Sequence, residues 1–262
     1  MLDRGHAAAC RLNLQFYLWK DAIKFNIHPS IPVQKCGIIA DVATGTGMWL
    51  IDVARELPTA KIEGFDIDLS QAPPQKWLPS NAALRYWDVF EDLPDDLIGK
   101  YDFVHVRLLV LVIEHADPRF VLRNLLKMLK PGGFLQWDDL DCPGMCVKTV
   151  DSTVQAPALE QLREMSYANG RHDWVFQIPT YASDVGFENV EIHSFGDGID
   201  LARAFNEQHL LTMEEFAVGL TKIGKQTGAL RFHQLIRDGY RESLKGAAFC
   251  IPRVVCVGRK PC

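Results

Sequence analysis

No apolar run in these 262 residues approaches the ~20 that a membrane-crossing helix needs. The longest, residues 108–113, has the length of a core segment. The first residues carry no leader-type apolar stretch, because Asp3, Arg4 and His6 interrupt it. A soluble protein, most simply a cytoplasmic one, is the expectation. Basic charge is also scarce: 28 lysines and arginines face 33 acids, and no basic stripe offsets the formal charge of −5. That argues against broad nucleic-acid binding, which needs a basic field. The seven cysteines are scattered. Cys142 and Cys146 stand near each other, yet no second Cys/His pair follows at zinc-site spacing. No metal is expected, and reduced thiols are the simpler reading. G-x-S-x-G and H-E-x-x-H are missing too, which removes two common hydrolase classes.

What is present is an ordinary globular composition, 48% hydrophobic and 23% charged, in a chain long enough for one large domain or a domain with a cap. Leu12, Phe16, Trp19, Ile23 and Ile27 predict a helix over 8–27, stopped by His28-Pro29-Ser30-Ile31-Pro32. Strand and helix signals then alternate. Strands are predicted up to Val42, over 61–66, 83–87 and 101–107, and over 134–137. Helices are predicted over 47–56 and 119–129; Asp117-Pro118 caps the second and Lys130-Pro131-Gly132-Gly133 stops it. Such alternation implies a parallel sheet with helices on both faces. Later, residues 151–185 and 199–247 read as helical, 188–195 as a strand and 249–257 as a last strand. The expected fold is therefore α/β: a Rossmann-like, doubly wound, mostly parallel seven-stranded sheet. An N-terminal helical segment (1–36) and helical inserts (151–185 and 199–247 within 37–262) would form a cap over the carboxyl edge.

The stretch richest in information is Ile38-Ile39-Ala40-Asp41-Val42-Ala43-Thr44-Gly45-Thr46-Gly47-Met48-Trp49. A buried strand ends in an acid, and a small-residue turn opens a helix, which lets backbone amides approach a ligand closely. A dinucleotide fingerprint would need a third glycine at position 50, where Leu50 stands. Residues 219–225 match the start of a phosphate loop, but Gln226 replaces the metal-holding Ser or Thr and no strand precedes it.

A third pattern fits. Asp41-Val42-Ala43-Thr44-Gly45-Thr46-Gly47, Gly64-Phe65-Asp66-Ile67-Asp68, Tyr86-Trp87-Asp88-Val89-Phe90 and Leu129-Lys130-Pro131-Gly132-Gly133 follow one another over about residues 37–140. In that order they resemble the motifs of the class I S-adenosylmethionine-dependent methyltransferases. Ala43 departs from the family, which usually has a glycine there. Arg11-Leu12-Asn13-Leu14-Gln15, Thr44-Gly45-Thr46-Gly47-Met48-Trp49, Val104-His105-Val106-Arg107-Leu108 and Leu135-Gln136-Trp137-Asp138 look more narrowly like methyltransferases of filamentous-fungal secondary metabolism.

The resemblance implies S-adenosyl-L-methionine as cofactor, methylation of a small-molecule acceptor, with oxygen favoured, and no nucleic-acid or membrane partner; a homodimer stays open. It places Asp66 on the ribose hydroxyls with Ile67 beside it. Asp41 would face the methionyl ammonium, brace the turn, or do both. Ala43, Gly45 and Gly47 form the turn, and Asp88 and Val89 would flank the adenine. Arg107 would line the cofactor or pair with Asp102 or Glu114. Methyl transfer needs alignment more than a strong base. Candidates for proton removal are His115, Asp139 and His172, with His105, Asp138 and Asp141 also near the edge. Tyr17, Trp19, Trp137 and Trp174, with Phe176 and Tyr181, are candidates to wall an acceptor. The alternatives are a cyclase or isomerase that keeps its bound cofactor intact, and a regulatory interaction protein.

Overall fold

The computed structural model describes residues 4–32, 37–113, 117–166, 170–196 and 198–262. The chain divides into two compact units. The first gathers Met1–Ile23, Asp141–Asp173 and Phe195–Arg253; the second gathers Lys24–Leu140, Trp174–Ser194 and Val254–Cys262. Among the described residues the helices are α1 (His6–Ile23), α2 (Met48–Glu56), α3 (Arg119–Met128), α4 (Pro157–Ser166), α5 (Ile178–Val185), α6 (Ala202–Lys222) and α7 (Gln226–Ser243). The strands are β1 (Ile38–Val42), β2 (Lys61–Asp66), β3 (Ala82–Tyr86), β4 (Tyr101–Arg107), β5 (Leu129–Leu140), β6 (Cys146–Thr149), β7 (Glu188–Phe195), β8 (Ala247–Cys250) and β9 (Arg253–Arg259). None of the described helices is long and apolar enough to cross a membrane.

The seven-stranded sheet has the order β3-β2-β1-β4-β5-β9-β7. The pairs β1–β2, β2–β3, β1–β4 and β4–β5 are parallel. Strand order reverses between β1 and β4, so the connections leaving these two strands diverge and open a crevice at their carboxyl ends. The central strands are apolar on both faces, as a sheet covered by helices requires: Ile39, Ala40, Val42, Phe103, Val104 and Val106 are all buried. α2 lies unusually close to β2. A Cβ on Gly64 would stand 2.5 Å from Leu50 Cδ1 and 2.8 Å from Leu84 Cδ2, so a larger residue there would displace these two side chains.

β3 is an outer strand of the sheet. The Gln75 side chain folds over it, donating from Nε2 to the Ala82 carbonyl and accepting at Oε1 from the Leu84 amide. Two main-chain groups on the open edge are thereby satisfied.

Three local expectations are corrected. α1 ends at Ile23, not near 27, because Lys24 takes a left-handed conformation (φ 66°) that terminates the helix. β5 begins at Leu129, so Lys130-Pro131-Gly132-Gly133 is a bulge inside a strand: Tyr101 pairs with Leu129 and Phe103 with Phe134. The predicted last strand is two strands, broken at Ile251-Pro252. Proline lacks the amide that a continuous ladder would use. Upstream of the break β8 pairs antiparallel with β6, and downstream β9 joins the large sheet.

Candidate functional site

β1 runs into a five-residue turn, Ala43 to Gly47, that opens α2. Ala43 (φ 57°), Gly45 (φ 57°) and Gly47 (φ 73°) are all left-handed. The two glycines adopt this without steric cost, whereas alanine loses roughly 1–2 kcal/mol. The Thr44 amide donates to the Phe65 carbonyl at 2.9 Å and the Gly47 amide to the Thr44 carbonyl at 2.9 Å, which closes the turn. The Gly45 amide donates to Asp66 Oδ2 at 2.8 Å, and the Asp68 amide to Asp66 Oδ1 at 3.1 Å. Asp66 at the end of β2 therefore fixes the turn that follows β1. Nothing lies within 4 Å of where a Gly45 Cβ would stand, so this side of the turn is open. α2 starts with no side-chain cap, leaving its first amides as donors at the positive end of the helix dipole.

One strand further out, the Asp88 carboxylate accepts from the Phe90 amide at 2.9 Å, and Val89 is buried. Ile67, next to Asp66, is 38% exposed, an apolar group held open at a strand end. Three adjacent strands thus carry the glycine turn, Asp66 with Ile67, and Asp88 with Val89 at one edge.

Behind the turn lies a buried polar layer. Register sets Asp41 of β1 opposite His105 of β4, and His105 opposite Gln136 of β5. His105 Nδ1 is 2.7 Å from Asp41 Oδ1, while Asp41 Oδ2 accepts from the Thr44 hydroxyl at 2.5 Å. Asp41 thus holds the turn through the Thr44 side chain. His105 Nε2 is 3.5 Å from Asp138 Oδ2. Arg107 donates to that same oxygen from Nε at 3.1 Å and Nη2 at 2.7 Å. Of the partners expected for Arg107, Asp102 pairs instead with Lys130, and Glu114 lies outside the described residues. Burial alone would raise the Asp138 carboxyl, but Arg107 and His105 outweigh it and hold the group below the usual carboxylate range. Gln136 Nε2 donates to Asp138 Oδ1, and the Trp49 ring stacks on His105 at 3.9 Å.

His115 lies outside the described residues. Asp139 is fully buried and accepts from the Val110 amide, the Trp137 indole and the Leu140 amide. Burial pushes its carboxyl up to about 7 despite these donors. His172 is buried in the first unit, where Arg171 Nε donates to its Nε2 at 3.4 Å. The Asp141 carboxyl, raised by partial burial, accepts from the Gly144 amide.

Of the aromatic candidates, Trp137 and Trp174 meet edge to face, with centroids 6.1 Å apart. The buried indole N–H of Trp174 has no partner among the described residues. Tyr17 and Trp19 diverge on α1: Tyr17 is 56% exposed and Trp19 is fully buried. Tyr181 packs under the Arg119 guanidinium, and Phe176 is exposed. Sequence reasoning missed Thr44, Trp49 and Gln136. A mostly parallel sheet was legible, but the register that sets His105 against Asp41 was not.

A family model described as "Methyltransferase domain" matches residues 14–192. Methyltransferase grgD of Penicillium sp is 37% identical over 149 residues, covering 53% of this chain and 52% of that protein. N-methyltransferase verN of Clonostachys rogersoniana is 40% identical over 100 residues, covering 37% of this chain and 34% of that protein. The chain thus spans about half the length, or less, of these curated relatives. Among solved structures, Haemonchus contortus phosphoethanolamine N-methyltransferase 2, bound to phosphomonomethylethanolamine and S-adenosylhomocysteine, superposes with a TM-score of 0.53 at 16% identity. That match covers 95% of this chain and 53% of the other, and at this identity it shows a shared fold.

Proposed function

We infer the reaction from a chain that belongs to the methyltransferase-domain family: the second unit binds S-adenosyl-L-methionine, and its methyl group goes to a small-molecule acceptor of the secondary-metabolite type. The observation that carries this reading is the meeting of the glycine turn, Asp66 and Asp88 at the ends of β1, β2 and β3.

The residues fit the cofactor. The open face at Gly45 admits a close approach that a Cβ would block. Asp66, whose carboxylate accepts from the Gly45 and Asp68 amides, is the acid placed to accept from ribose hydroxyls. The exposed Ile67 and buried Val89 offer apolar contact to an adenine, and Asp88 an acceptor for its amino group. The uncapped start of α2 offers donors to a carboxylate. Gly47 and Ala43 shape the turn, while Asp41 and Arg107 act from behind it. When bound, the sulfonium supplies an activated methyl group.

This chain's own residues align the reactants, and alignment can contribute ~7–11 kcal/mol in well-oriented systems. None of His115, Asp139 or His172 is assigned as a base. The Trp137–Trp174 pair offers an apolar wall and one indole N–H to an acceptor. The expectation of an oxygen acceptor is widened to oxygen or nitrogen, because two relatives are named N-methyltransferases and none of the described residues of the site selects oxygen.

Calorimetry with S-adenosylhomocysteine tests the cofactor site. Wild type is expected to bind and Asp66→Ala to bind roughly 10–100-fold more weakly, the scale of hydrogen bonds to a charged group. Labelled cofactor and metabolite extracts test transfer, and product mass identifies it. Binding with an isomerised product of unchanged mass would favour the cyclase reading. Binding with no product and a stable protein partner would favour the regulatory one.

A further inference from the structure

We propose that His105 is a positioning residue for the glycine turn, holding Asp41 so that Thr44 and the Gly45 amide stand where the cofactor needs them. The inference rests on the cofactor reading above and adds a residue to it.

Thr44 lies between two left-handed residues, Ala43 and Gly45. Its hydroxyl donates to Asp41 Oδ2 at 2.5 Å, so the Asp41 carboxylate sets where the middle of the turn stands. The other Asp41 oxygen is 2.7 Å from His105 Nδ1, and the two residues are direct cross-strand partners. The His105 ring is itself restrained. Trp49 stacks on it at 3.9 Å with planes 5° apart, and the Trp49 indole N–H donates to the Asn26 carbonyl at 3.2 Å. On the far side, Nε2 faces Asp138 Oδ2 at 3.5 Å, an oxygen already held by Arg107. A ring fixed by a stack on one face and by carboxylates at both nitrogens has little freedom left. It transmits that rigidity to a turn that glycine would otherwise leave mobile. All members of this set are nearly or fully buried except Arg107, whose side chain is 11% exposed. The layer therefore supports the cofactor site from beneath and does not touch the ligand.

Two isosteric replacements separate positioning from packing. His105→Asn keeps an N–H near the place of Nδ1, facing Asp41. His105→Gln carries its amide toward the place of Nε2, facing Asp138, and takes the donor away from Asp41. Calorimetry with S-adenosylhomocysteine is expected to give an affinity within about threefold of wild type for His105→Asn, and a loss of roughly tenfold or more for His105→Gln. Thermal unfolding run in parallel is expected to move by similar amounts in both. In an Asp41→Asn background, His105→Gln should add little further loss, since it acts through Asp41. Equal affinities of the two variants, or losses that simply add, overturn the proposal. If His105→Gln does not fold, Thr44→Val replaces it: the same tenfold loss is expected, and unchanged affinity overturns the proposal. A wild-type protein that gives no heat with S-adenosylhomocysteine removes the cofactor reading and this inference together. Binding by wild type with no difference among the variants removes this inference alone.

Discussion

Beneath the glycine turn, Asp41, His105, Gln136 and Asp138 form a layer whose members come from neighbouring strands and face one another at hydrogen-bond distance. Inside the first unit, Arg11 on α1, His209 on α6 and Arg253 at the start of β9 are equally buried, with aromatic side chains of α1 and α6 around the last. There the Arg253 guanidinium lies 3.7 Å from the Phe205 ring centre and 5.3 Å from that of Trp19, while Arg11 pairs with Glu215 at 2.5 Å. His209 Nε2 has no hydrogen-bond partner among the described residues. Burial first, then the Arg253 and Arg11 charges, push this ring down to about 3, so it is neutral at ordinary pH. The contrast teaches how secondary structure sets electrostatics. Parallel register brings an acid and a base together at a fixed spacing. Helix packing meets a buried cation with aromatic faces and keeps a histidine neutral.

The largest expected effect tests whether the strand-borne layer depends on its charges more than the helical interior does. Asp138→Leu leaves the Arg107 guanidinium without its carboxylate and is expected to cost about 3–5 kcal/mol in urea unfolding. His209→Leu, which exchanges a neutral ring lacking a partner at Nε2 for an aliphatic group, is expected to cost less than about 1 kcal/mol. Similar losses in both variants would break the contrast.

A smaller effect separates the two by acid. His209 titrates near 6.5 when unfolded and about 3 when folded, so its contribution is present above about 6.5 and is lost as pH falls toward 3. Melting curves should show His209→Leu less sensitive than wild type over that window. Asp139 behaves in reverse. Its folded value of about 7 exceeds the unfolded 3.8, so its contribution is present in acid and is lost as pH rises from about 4 to about 7. Relative to Asp139→Asn, wild type should lose stability across that interval. Parallel curves for wild type and variant would refute either assignment.

The smallest effect concerns the turn above the layer. Ala43→Gly relieves a left-handed alanine and is expected to stabilise the protein by about 0.5–1 kcal/mol, measured as a shifted urea midpoint with unchanged slope. A destabilised variant would mean that the turn gains more from the alanine methyl than it loses in strain.

Much of the second unit was legible because its signals were local. Apolar strand runs mark β1 and β4, and the Lys130–Gly133 stretch marks the end of α3, without any knowledge of partners. The place of Asp66 at the end of β2 was legible too, from the resemblance. What escaped depended on pairing. Cys146–Thr149 is short and largely solvent-facing, with no apolar alternation to betray β6. Ile251-Pro252 sits inside an otherwise continuous apolar stretch, which hid the change of sheet. The Arg107 pairing with Asp138 was not foreseen because that acid, 31 positions away, comes opposite it only through the β4–β5 register. Ala43 was visible as a departure from glycine, but its positive φ required the backbone.

Gln75 has a consequence outside chemistry. At the rim of the large sheet one amide side chain occupies hydrogen-bonding sites that a foreign strand would otherwise seek, close to a Trp77 that is 80% exposed. Loss of that plug would leave folding energy almost unchanged while offering a sticky seam to other copies during storage or crowded expression. Substitution of this residue is expected to lower the yield of usable protein more than its turnover.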